Sequence, residues 1–188
     1  MNNVWNYISN IGVKVEYNVD FQKRLILQNR TTVLACIVYL VMGIIYFVFN
    51  DLKTAIFIES LIFINILSFC LQRKHFHKFS LSFFLISSYL SIFYFDSYAG
   101  LKSGAFLYYV PVIMSLFFLF DIKKDKTVIA LHILLIIVLF FIHQMTERTL
   151  FQSDIVTDVM RSRLYIANIT LSLISLLYFI FLGIKNKI

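Results

Sequence analysis

Glu59 is the only carboxylate in the apolar run "TAIFIESLIFINILSF", which starts at Thr54. A charge held in hydrocarbon costs from about 3 to more than 10 kcal/mol, so an acid there requires partners or a route to the surface. Counting inward from the corresponding ends of the other apolar runs gives Tyr46, Ser91, Tyr108, His143 and Asn168 at similar depth. Glu59, Tyr108, His143 and Asn168 define a candidate polar pocket, in which a carboxyl, a phenol, an imidazole and an amide would satisfy one another by hydrogen bonds. The plainer reading leaves Glu59 snorkelling to the surface, or protonated against a single hydroxyl. Pro111, central in another apolar run, frees a backbone carbonyl and is a candidate hinge, although a static kink explains it more simply.

The remaining reactive residue types point to structure, not chemistry. His75 and His77 in "RKHFHK" have no cysteine or carboxylate set beside them, so a basic loop is expected there and no metal site. His132 is expected to bond within the helices and not to relay protons. Asn65 and Asn168 read as interhelical hydrogen-bonding residues. Cys36 and Cys70 are far apart within or at the end of apolar runs, which excludes a disulfide framework or a zinc site. The sequence has no G-x-S-x-G, no H-E-x-x-H and no phosphate loop. It reads as non-enzymatic, with no cofactor.

These residues sit in a chain of 188 residues that is 60% hydrophobic and only 14% charged, with mean hydropathy +0.83. A soluble domain needs more polar surface than that. The formal net charge of +7 would suggest nucleic acid in a soluble protein. Here it follows from lysine and arginine retained in cytoplasmic loops, so direct nucleic-acid binding is not expected. The fold class is all-α, a polytopic membrane helix bundle in contact with the lipid bilayer.

Crossing about 30 Å of hydrocarbon takes about 20 mostly apolar helical residues. Six runs approach this, at 32–50, 54–71, 79–96, 103–120, 127–145 and 163–184. If both termini are cytoplasmic, 12 of the 17 lysines and arginines lie inside and five lie outside, which sets the orientation. Residues 1–31 form a cytoplasmic or interfacial amphipathic segment, 32–184 the six-span domain and 185–188 a short tail. Within the first segment Val4, Trp5, Ile8, Ile11 and Val15 recur at helical spacing, which places Trp5 at headgroup depth. Asn18 or Asp20 caps a second helix, and Ser153 or Asp154 caps another before the sixth span. No basic and apolar leader is present, so no signal peptide is expected.

The stretch "WNYISNIGVKVEYNVDFQKRLILQNR" resembles the start of a six-span membrane domain of Bacteroidota signalling proteins. The resemblance rests on Trp5, Gly12, Val13, Lys23, Arg24 and Asn29, and on Gly104, Tyr108 and Pro111 in "GAFLYYVPVIMSLFFLF". In that family the six helices anchor or sense for a cytoplasmic histidine kinase, cyclase or DNA-binding domain. Only "KNKI" follows the last span here, so the chain is expected to be a truncated piece or a stand-alone member acting through a protein partner or as a homo-oligomer. The resemblance implies a sensory or regulatory module of the bacterial inner membrane. The alternative is a small oligomerising effector that perturbs the bilayer, of the kind that accompanies anti-phage systems such as RNA-targeting CRISPR nucleases.

Overall fold

The computed structural model describes residues 2–100, 103–146 and 156–185. They form seven α-helices, α1 (Asn2–Ser9), α2 (Val19–Val48), α3 (Leu52–Arg73), α4 (His77–Ala99), α5 (Tyr109–Leu119), α6 (Lys126–Met145) and α7 (Asp158–Lys185), with a 3-10 turn at Ala105–Tyr108. No strand occurs among the described residues. Four helices, α2, α3, α4 and α6, are long and apolar enough to cross a membrane. The chain is therefore all-helical and compatible with a membrane location. It divides into two compact units, 1–87 and 88–188, and α4 runs from one into the other.

The expected run 103–120 is not one continuous span. Gly104 adopts a left-handed φ of 71°, the 3-10 turn comes next, and α5 is only 11 residues long. Pro111 is accordingly the third residue of α5, in the first turn, where the backbone N–H it lacks has no intrahelical acceptor. The run 163–184 lies inside the 28-residue α7. Ser153 and Asp154, proposed as caps before it, lie outside the described residues.

In the first unit, α2 begins where the sequence expects a second N-terminal helix and continues unbroken for 30 residues. Asn18 is its cap, accepting the Asp20 N–H at 3.0 Å. Both helical hairpins close with the same hydrogen-bond pair. Asp51 N–H bonds Tyr46 O and Asn50 N–H bonds Phe47 O; Phe76 N–H bonds Leu71 O and His75 N–H bonds Gln72 O. These are Schellman motifs, with Asn50 (φ 60°) and His75 (φ 64°) in the left-handed position that glycine usually takes. Asp51 then caps α3, accepting from the backbone and hydroxyl of Thr54.

A buried polar ladder joins α2, α3 and α4. Gln28 donates to Ser80 Oγ at 2.8 Å, Ser68 Oγ donates to Ser80 O at 2.8 Å, and Asn65 donates to Ser87 Oγ at 3.1 Å. Where apolar side chains gain little by leaving lipid for one another, such bonds and close packing hold helices together.

The N-terminal segment is docked by specific bonds. Helix α1 stops at Ser9, so Ile11 and Val15 do not share a helical face with Val4 and Ile8. The Asn29 amide, 1% exposed, instead donates to Ser9 O and Ile11 O at 3.0 and 2.9 Å. Gly12 turns left-handed (φ 74°) against α3, so close that a Cβ would stand 2.3 Å from Gln72 O. Only glycine fits that turn. Gln22 reaches back to the carbonyls of Lys14, Val15 and Tyr17, fixing the rest of the connection.

Candidate functional site

The second unit contains the most chemically suggestive cluster. On α6 the buried positions Ile129, His132, Ile136, Leu139 and His143 fall three or four residues apart and form one stripe. On α4 Phe93, Asp96 and Ser97 share a face by the same rule. Ser97 Oγ lies 2.8 Å from His143 Nε2, and Asp96 Oδ2 lies 2.9 Å from His143 Nδ1. The imidazole stacks on Phe93, with centroids 4.1 Å apart and planes 14° from parallel. Asp96, Ser97 and His143 are each 0% exposed.

The two sides of the imidazole are not equivalent. The Ser97 contact has hydrogen-bond geometry, whereas the Asp96 contact is an ion-pair approach. The Asp96 contact is thus electrostatic in character, and the Ser97 hydroxyl supplies the directional bond.

A serine, an imidazole and a carboxylate in this order are the parts of a relay that activates a serine nucleophile. Attack on a substrate also needs Ser97 to be reached, and its side chain is fully buried. The arrangement fastens α4 to α6.

Two further residues of the candidate pocket, Tyr108 and Asn168, bond to each other. Tyr108 donates to Asn168 Oδ1 at 3.3 Å, and Asn168 Nδ2 donates to Ser103 O at 2.9 Å. One helix turn further along α7, Ser172 donates to Leu107 O at 3.0 Å. Asn168 and Ser172 therefore clasp the 3-10 turn onto α7, and Tyr165 packs where a Cβ on Gly104 would stand, at 2.7 Å. Tyr108 and Asn168 meet directly, whereas His143 pairs with Asp96 and Ser97. Glu59 belongs to the first unit, where it is exposed and lies against Gly43 of α2; a Cβ there would be 3.1 Å from Glu59 Oε1.

Asp96 and Ser97 are not among the residues the sequence singles out. Asp96 stands at the edge of an apolar run, where a carboxylate reads as a boundary. The available signal is its place one turn beyond Phe93 on the α4 face that also carries Tyr89. His132, the other imidazole on the α6 stripe, sits between the rings of Tyr89 and Phe120, at 5.7 and 5.6 Å. Among the described residues no group of three or more histidine, cysteine or acidic side chains could hold a metal ion. Cys36 and Cys70 are free thiols.

No family model, no curated protein and no solved structure matches this chain.

Proposed function

We propose that the chain is a non-enzymatic sensory or regulatory module of the bacterial inner membrane, crossing it six times with both termini cytoplasmic and acting through a protein partner. Four long apolar helices support the membrane location. The division of lysine and arginine, 12 against five, supports the orientation. The six-span reading takes its two further crossings from the shorter apolar segment Ala105–Leu119 and from the 28-residue α7.

The observation that carries a switching role is the sealed Asp96–Ser97–His143 cluster. A fastener built from ionisable groups has a paired and an unpaired state, and a stimulus that favours one over the other moves the helices it joins. α6 packs on α5 and α5 packs on α7, so unpairing at His143 has a contiguous route to the last helix. Hydrogen exchange on the full chain in nanodiscs tests this with Asp96→Asn. The regulatory reading expects faster exchange in α7 as well as in α4 and α6. A change confined to α4 and α6 removes the reading.

Glu59 favours the second reading, an oligomerising membrane effector. It is exposed between Ile56 and Phe63, which are 61% and 73% exposed. An acid among lipid-facing side chains is relieved when a second copy covers it. This reading expects an oligomer that Glu59→Leu dissociates, and a protein monomeric at every lipid ratio rules it out.

A further inference from the structure

In the first unit the helices change from charged to apolar at a common level. α2 has no charged residue between Arg30 and Asp51, and α4 has none between Lys78 and Asp96. The ladder Gln28–Ser80–Ser68 puts these boundaries side by side, since Gln28 is two residues from Arg30 and Ser80 two residues from Lys78. Arg73 closes α3 at the same end, where His77 packs on Tyr17 and Phe21. Three helices thus change from charged to apolar at one plane.

α1 is tied to that plane. Asn29 holds Ser9 and Ile11, Arg30 Nε donates to Ser9 Oγ at 3.2 Å, and the Arg30 guanidinium lies 5.9 Å from the Trp5 ring centre. The docked helix keeps Val4, Trp5 and Tyr7 exposed at 65%, 43% and 68%. Across the same end the α3–α4 turn exposes Phe76 and Phe79 at 54% and 64%. Aromatic side chains ringed by cations at the edge of the apolar zone match the chemistry of a bilayer interface.

The charge at this end is predominantly basic. Seven basic residues of the unit lie here, four on the N-terminal strap and α2 and three around the α3–α4 turn, against only Glu16 and Asp20. Lys14, Lys23 and Arg30 are exposed, as are Arg73, Lys74 and Lys78. Each cation close to a negatively charged leaflet adds attraction that fades within a Debye length. We propose that α1 and the basic rim around it are a docking surface for anionic phospholipid headgroups, with Arg30 and Trp5 at its centre. This does not depend on a sensory role.

Trp5 is the only tryptophan, so the unmodified full chain reports on the surface directly. Two nanodisc preparations of equal phosphatidylglycerol and phosphatidylcholine content are compared, with the brominated chains on one lipid or on the other. The expected result is Trp5 quenching about threefold stronger when the anionic lipid is brominated, declining at high salt. Arg30→Gln is expected to reduce that preference. Equal quenching by both brominated lipids overturns the proposal, as does efficient quenching by aqueous acrylamide in place of either. The comparison is decided on the wild-type chain even if the variant does not fold.

Discussion

His143 uses both ring nitrogens on consecutive residues of α4, Nδ1 toward Asp96 at 2.9 Å and Nε2 toward Ser97 at 2.8 Å. Consecutive helical side chains diverge by about 100°, and the flat ring entering between them reaches both. Removing the ring takes the imidazole away from a buried carboxylate. His143→Leu is expected to lower stability in detergent by about 3–5 kcal/mol. The double variant Asp96→Leu/His143→Leu should recover most of that loss, giving a large coupling term in an unfolding cycle. Additive losses would show that the two residues are independent.

Ser97 supplies a hydroxyl to this cluster and should not behave as a nucleophile. A fluorophosphonate probe, which labels activated serines, is expected to leave Ser97 unmodified in the membrane-embedded protein. Ser97→Ala is expected to cost about 1 kcal/mol. Labelling at Ser97, located by peptide mass spectrometry, would make the cluster a catalytic one.

Asn29 is expected to decide whether α1 stays docked. Asn29→Leu removes both amide bonds to Ser9 and Ile11 and leaves two carbonyls to find new donors, at about 1–3 kcal/mol. Protease sensitivity between Ser9 and Val19 should rise while that of the α3–α4 turn stays unchanged. If cleavage is unaltered, Gly12 and Gln22 hold the strap without Asn29.

The two hairpins offer gains in stability. A non-glycine residue in the left-handed region costs about 1–2 kcal/mol, and asparagine less than most. His75→Gly is therefore expected to raise the unfolding midpoint in detergent, and Asn50→Gly to raise it by a smaller amount. A lowered midpoint for His75→Gly would mean that its ring contact with His77, at 5.6 Å, contributes more than the backbone strain.

Local features were readable wherever one helix suffices to specify them. Apolar runs gave four long helices because crossing a membrane needs length and composition alone, and residue type narrowed the cap of α2 to Asn18 or Asp20, of which the fold uses Asn18. The run at 103–120 has the right composition, but the left-handed turn at Gly104 interrupts it, and composition does not register that. Pairings between helices were not readable, because equal depth in two apolar runs does not say which faces meet. Depth alone grouped Glu59 with Tyr108, His143 and Asn168; packing joined Tyr108 to Asn168 and gave His143 the unnoticed Asp96 and Ser97. Gly12 and Asn29 entered the sequence reading as parts of a resemblance. Their physical roles, a turn that only glycine fits against Gln72 and an amide that holds two carbonyls, required the fold.

The unbroken course of α2 has a mechanical consequence. Thirty residues make a rod about 45 Å long, with no proline in it and one glycine, Gly43, beside Glu59. Asn29, which carries the strap, lies about ten residues from one end, and the Asn50 turn closes the other. A tilt imposed near Asp51 is expected to reach Asn29 through this continuous helix, and α1, bonded there, to move with it.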